Sequence, residues 1–210
     1  MELKLYYFNF PFWRAESARL ALHLGDIDFE DIRVDGATFR AMRERGELPF
    51  GQLPVLDMNG ERIAQTGAIL RICGTLSGFY PAGDLTQCAR IDELIDAATD
   101  VTHLIGRSMR IKDRAERLAC RADLAAHGLP KWLGYLTAWM DRHGGVDYLV
   151  GDRLTVGDLV VWRLMAWLTG GILDGIPRDI GDGFPALMAH YERVNQRPKV
   201  RAWMKRYDAA

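Results

Sequence analysis

Between residues 7 and 66 the chain carries a set of side chains suited to one kind of chemistry: Tyr7, Arg14, Leu53-Pro54-Val55 and Gln65-Thr66. Tyrosine at a strand end offers a neutral O–H donor, and arginine at the start of a helix offers a permanent cation. Thr66 at a second helix start joins a hydroxyl to free backbone N–H groups, which together receive a carboxylate. The same Gln-Thr pair also reads as a plain N-cap. Pro54 heads a strand, where no ladder donor is needed, and a cis bond before it would present the Leu53 backbone edge-on to an extended, peptide-like ligand. Tyr7 taken alone reads as a packing residue, so the chemical reading rests on its neighbours.

These residues need elements to hold them. Leu3–Phe8 alternates and is rich in aromatics, which predicts a strand. Arg14 to Leu24 has helical spacing closed by Gly25, and Phe29–Val34 reads as a second strand. A short helix is predicted over Phe39–Arg45. Pro54–Met58, Asn59-Gly60 and Glu61–Ala64 then form a hairpin, and a helix runs from Thr66 to about Leu76. The order β-α-β-α-β-β-α with a right-handed crossover makes a small α/β unit over residues 1–76, with its candidate chemistry at the element ends.

Residues 77–83 read as a linker, and strand signals nearly vanish beyond it, so residues 84–210 are predicted to be all-helical. From Leu85 onward, Cys88, Ile91, Ile95, Ala98, Ile105 and Met109 recur at helical intervals, followed by further long helical patterns to Tyr207. Thr155-Val156-Gly157-Asp158 has the spacing of a capping box ahead of an apolar run, a structural feature.

With 49% hydrophobic and 26% charged residues, the composition is that of a folded globular chain and excludes disorder. The 27 Lys+Arg against 28 Asp+Glu leave no basic surplus for nucleic acid or an anionic membrane. Three cysteines without Cys-x-x-Cys spacing support neither a disulfide framework nor a zinc knuckle, and the five histidines show no ligand spacing, so no metal is expected. Neither a signal peptide nor an 18-residue apolar run is seen, and a cytoplasmic protein is expected.

Taken together, Tyr-Phe-Asn at 7–9, Arg-Ala-Glu at 14–16, Leu-Pro-Phe-Gly-Gln-Leu-Pro-Val-Leu at 48–56, Asn-Gly at 59–60, Gln-Thr at 65–66 and the Thr155 capping box resemble the cytosolic glutathione transferases. The likeness covers essentially the whole chain, is most specific over residues 48–66, and is greatest to the sigma class, whose relatives include glutathione-dependent prostaglandin D synthases. It implies a thioredoxin-like α/β domain followed by an all-α domain, with glutathione as co-substrate. Tyr7 matches the catalytic tyrosine that donates its hydroxyl hydrogen to the glutathione sulfur. Leu53, before the family's cis-proline at Pro54, matches the residue whose backbone pairs with the cysteinyl moiety. Gln65 and Thr66 match the holders of the γ-glutamyl end, Arg43 and Gln52 the residues near the glycine carboxylate, and Arg14 an arginine in the site floor.

Lowering a thiol from a pKa of about 8.5 by ~2 units takes ~2.7 kcal/mol. One charge-assisted hydrogen bond supplies roughly 1.5–3 kcal/mol, so Tyr7 suffices without metal or base.

Three features depart from the family pattern or add to it. Pro11-Phe12-Trp13 replaces smaller or basic residues ahead of Arg14, with one residue inserted; these rings either pack under the loop or wall the pocket. Phe39 stands where a tryptophan often donates to the glycine end, and cannot make that bond. Asp92, Asp96 and Asp100 form an acidic stripe that reads as a solvated face, while Asp100 matches the family acid that reaches across a homodimer to the partner's ligand. Phe10, Phe12, Trp13, Ile105 and Met109 are the expected hydrophobic-substrate pocket. The resemblance implies transfer of glutathione thiolate to hydrophobic electrophiles. A glutathione-dependent isomerase of the prostaglandin D synthase type and a non-catalytic hydrophobic-ligand carrier are the alternatives.

Overall fold

Leu3, Leu5 and Tyr7 turn inward while the residues between them lie nearer the surface, the two-residue period of a strand, and Leu3–Phe8 forms β1 in this computed structural model, which describes residues 1–145 and 147–207. Helix α1 (Trp13–Leu24) leads to β2 (Glu30–Val34), which lies parallel to β1 with Tyr7 opposite Arg33. After α2 (Gly36–Glu44), β3 (Val55–Met58) runs antiparallel to β1 with Leu5 opposite Leu56. The hairpin continues into β4 (Glu61–Ala64) and then α3 (Thr66–Ser77). Asn59 and Gly60 both have positive φ, 54° and 89°, as a two-residue hairpin turn demands, and the sheet order is β2-β1-β3-β4.

The predicted helix over 39–45 in fact begins at Gly36, because the Asp35 carboxylate accepts the Thr38 N–H at 2.7 Å and caps the helix earlier than the apolar pattern indicates. The second strand begins one residue later than predicted, at Glu30, and α1 one residue earlier, at Trp13.

The second unit comprises α4 (Leu85–Gly106), α5 (Arg114–Asp123), a wide turn at 124–128 leading directly into α6 (Leu129–His143), α7 (Val156–Thr169), α8 (Pro185–Asn195) and α9 (Pro198–Met204). Twelve of the fourteen α7 residues are buried, so this helix is enclosed rather than amphipathic. It packs on α1, α4 and α8, and one apolar core therefore runs from Leu5 and Leu20 through Ile91 and Leu94 to Leu159 and Trp162. The chain thus has a thioredoxin-like α/β unit joined to an all-helical unit, with no helix long and apolar enough to cross a membrane among the described residues.

Asp158 at the start of α7 is wholly buried. Its carboxylate accepts from the Thr155 N–H at 2.7 Å, the Thr155 hydroxyl at 2.8 Å, the Leu149 N–H at 2.8 Å and His190 Nε2 at 3.0 Å. The capping box therefore ties the approach to α7, α7 itself and α8 to one buried charge.

Candidate active site

Two cavities meet on the C-terminal side of β1. The smaller is a narrow cleft walled by Arg14, Gln52, Leu53, Pro54, Gln65 and Thr66, with Phe50 on its rim. The larger, about 730 Å³, is the size of a small-molecule site and is lined by Tyr7, Phe10, Phe12, Trp167 and Leu173 among other, mostly apolar groups. Arg14 and Gln52 belong to both, so the two volumes adjoin at a cationic boundary.

Tyr7 is 4% exposed at the end of β1, against Phe8 and Phe10 with ring centroids 5.5 Å away. Burial pushes its pKa up to about 12, and the charges of Arg14 and Arg19 oppose that rise. The Arg19 guanidinium lies 5.7 Å from the ring centroid, held by Glu16, Asp31 and the Phe8 carbonyl. Tyr7 is therefore a neutral O–H donor at the cavity wall through the whole neutral range.

The Leu53-Pro54 bond is cis, and Leu53 precedes the last ladder pairs of β3, Tyr6 with Val55 and Val55 with Ala64. Its backbone polar groups therefore lie outside the sheet register, at the cleft wall. Gln65 has φ 72° and ψ 123°, a conformation that costs a non-glycine residue about 1–3 kcal/mol. No side chain caps α3, so the first N–H groups of that twelve-residue helix stay available beside Thr66.

The other expected site residues divide. Phe10, 46% exposed, and Met109, 54% exposed, line the large cavity near its mouth, and Phe12 packs edge-on to Trp167 at 4.9 Å in its wall. Trp13 does not wall the pocket: it is wholly buried and donates its indole N–H to the Thr102 hydroxyl at 2.8 Å. Ile105 is likewise wholly buried in the core and absent from the lining. The two rings of the 12–13 pair stay in contact, with centroids 6.1 Å apart, but only Phe12 reaches the cavity, because successive residues entering a helix diverge by about 100° around its axis. Phe39 packs on Phe8 at 5.4 Å, away from the cleft lining, and Arg43 is exposed on α2 beside Gly51, next to Gln52 in sequence. Asp100 is exposed on α4 and touches neither cavity of this chain.

Several cavity residues escaped the sequence reading: Thr102 and Arg110 on and after α4, Arg163 and Trp167 on α7, and Leu173 beyond it. The signal for one was present, since Arg163 is a lone basic residue in an otherwise apolar run from Leu159 to Leu168. Exchanging Phe12 for Ala should open the cavity and broaden the size range of bound apolar compounds. Exchanging Trp13 for Phe should instead lower stability by ~1–3 kcal/mol, through the unpaired Thr102 contact and lost packing, with the size ranking unchanged. Thermal melts paired with a size series of ligands check both outcomes.

Residues 3–72 match the family model for the glutathione S-transferase N-terminal domain, and residues 99–206, about half the chain, match that for the glutathione S-transferase C-terminal domain. The chain is 27% identical over 207 residues to glutathione S-transferase 1 of Ascaris suum, covering 97% of this chain and 95% of that protein. Among solved structures, prostaglandin synthase D of Nilaparvata lugens superposes with a TM-score of 0.83 at 26% identity, with 98% of each chain covered. The monomeric Na-GST-3, a glutathione S-transferase of the hookworm Necator americanus, superposes with a TM-score of 0.79 at 28% identity, covering 98% of this chain and 97% of that one. A buried tyrosine in the wall of a large, mostly apolar cavity that adjoins a narrow cleft, on a sheet-and-helix frame matched by both family models, leads to one assignment: the chain belongs to the glutathione S-transferase family, enzymes with glutathione as co-substrate.

Proposed function

We propose that this enzyme binds glutathione in the narrow cleft, holds its sulfur as thiolate at the Tyr7 hydroxyl, and transfers it to an electrophilic carbon of a hydrophobic compound in the 730 Å³ cavity. The observation that carries this reading is the junction of the two volumes at Arg14 and Gln52, with Tyr7 in the wall of the larger. The Leu53 backbone pairs with the cysteinyl unit, Gln65, Thr66 and the α3 N-terminus take the γ-glutamyl carboxylate, and Arg43 and Gln52 approach the glycine end. Tyr7 keeps its proton throughout and donates to S⁻. The thiol proton leaves to solvent as the thiolate forms. The sulfur lone pair then makes the new C–S bond while a leaving group departs with its bonding electrons or, at an enone, while the C=C π pair moves onto the carbonyl oxygen and the resulting enolate takes a proton from water.

Retention on glutathione-agarose together with thiol consumption in the presence of 1-chloro-2,4-dinitrobenzene tests this. Retention without turnover would move the weight to a carrier of hydrophobic ligands. The likeness to the Nilaparvata lugens prostaglandin synthase D and to the sigma pattern supports a second reading, in which the thiolate attacks a peroxide and is later released. Net consumption of glutathione separates the two.

Exchanging Gln65 for Gly should raise stability by about 1 kcal/mol, because glycine adopts the positive φ without a Cβ penalty. Loss of its side chain should weaken glutathione binding by ~10-fold. Urea unfolding and the KM for glutathione read the two effects separately.

A homodimer is part of the same reading. Phe50 is 64% exposed on the cleft rim and Asp100 is exposed on α4, so a second copy would cover the ring and bring Asp100 to its neighbour's γ-glutamyl amine. Specific activity should fall on dilution through the dimer dissociation constant; a fully active monomer by light scattering, the state in which Na-GST-3 is described, would sink the idea. A reducing cytoplasmic setting agrees with the free thiols of Cys73, Cys88 and Cys120.

A further inference from the structure

Three arginines of the described chain are buried: Arg19, Arg121 and Arg163. The first two are neutralised in place. Arg19 reaches Glu16 at 3.1 Å and Asp31 at 2.8 Å, and Arg121 reaches Asp174. Arg163 differs. It is 8% exposed, no carboxylate lies within 4.0 Å of it among the described residues, and its Nε has no hydrogen-bond partner there. One guanidinium nitrogen donates to the Pro11 carbonyl, and the group lies 5.1 Å from the Trp162 ring centroid.

Arginine does not shed its proton to escape burial, so an unpaired guanidinium in an apolar wall is costly to keep. Burial shifts its affinity for that proton downward, with Glu16, Tyr191 and Tyr207 acting the other way. Glu16 does not pair with it, because its oxygens already accept from Arg19, Trp203 and Tyr207. What distinguishes Arg163 from the other two is its place: it lines the 730 Å³ cavity, whose wall includes Arg14 and Arg110 as well and no Asp or Glu. Arg14 serves the boundary with the glutathione cleft and Arg110 is exposed, which leaves Arg163 as the cation of the buried wall, beside Phe12, Trp167 and Leu173.

We propose that Arg163 is a carboxylate seat in the second-substrate cavity, and that the compounds this enzyme prefers are apolar carboxylic acids whose electrophilic carbon faces Tyr7 while the acid group pairs with the guanidinium. This rests on the reading of the large cavity as the electrophile pocket. One positive charge in an otherwise apolar wall balances one negative charge, and a planar carboxylate matches the planar donor edge.

The test compares ethacrynic acid, an aryl enone bearing a carboxylate, with its methyl ester, and follows binding of the saturated, unreactive analogue of each by fluorescence quenching of the cavity tryptophan. Wild-type enzyme should prefer the acid over the ester by ~10-fold or more in kcat/KM and in affinity, as a charge-assisted pair in a desolvated wall gives. In Arg163→Gln that preference should collapse toward unity, mainly through KM, and Arg163→Lys should restore part of it. The wild-type ratio needs no variant, so poor folding of either substitution leaves the proposal open to refutation. Equal binding of saturated acid and ester by an enzyme that turns over 1-chloro-2,4-dinitrobenzene overturns the carboxylate seat and leaves the transferase reading intact. Selective binding of the acid without turnover of either electrophile overturns the transferase reading and upholds the seat.

Discussion

Exchanging Tyr7 for Phe is expected to lower kcat/KM for a neutral electrophile by roughly 10- to 100-fold while the fold persists, since the ring stays packed and only the O–H is lost. The pH profile identifies the cause. In the wild type, kcat/KM should rise with pH as the bound thiol ionises, with an expected midpoint ~2 units below the free-thiol value of about 8.5. Tyr7 itself, raised to about 12 by burial, remains protonated across the assay range and adds no descending limb there. In the variant the rising limb is expected to move toward the free-thiol value, so the fold deficit should be largest below about pH 6.5, shrink between about 6.5 and about 8.5, and vanish above that. Ultraviolet titration of the bound thiolate measures the same midpoint without turnover. A limb that stays where it was would assign sulfur activation to another donor, with Arg14 the first to test.

The largest loss of stability is expected from Asp158→Ala. The substitution strips the acceptor from the Leu149 and Thr155 N–H groups, the Thr155 hydroxyl and His190 Nε2, all at a wholly buried position. Breaking a buried charged network by removing one partner costs about 3–5 kcal/mol. For a chain of this size, that corresponds to a fall in Tm of roughly 6–20 °C. Asp158→Asn, which keeps one acceptor oxygen, should lose less. Urea unfolding measures both, and a loss for the alanine variant under ~1 kcal/mol would show that the network carries little of the tie between α7 and α8.

What could be read from the sequence was what local chemistry dictates. β1 follows from two-residue alternation, the β3–β4 hairpin from Asn59-Gly60, two residue types that tolerate positive φ, and the start of α7 from the Thr155–Asp158 spacing. Tyr7, Leu53-Pro54 and Gln65-Thr66 were legible as a set because strand ends and helix starts of one sheet open on one side, and the structure indeed brings them to adjoining cavities. Tertiary packing decided the rest. Helical spacing predicts that Ile105 and Met109 share a helix face, and leaves Trp13 either under its loop or in the pocket wall, but what covers each depends on elements far along the chain: Thr102 receives Trp13, the core takes Ile105, and Met109, in a separate turn after α4, is left at the cavity mouth. Arg163 shows the limit most plainly. Its charge among apolar neighbours is visible in the sequence, yet Arg19 was equally placed near apolar residues and is neutralised by Glu16 and Asp31. Whether a buried guanidinium meets a carboxylate of its own chain or an open cavity is a matter of distances between elements, and those are fixed only when α1 and α7 pack together.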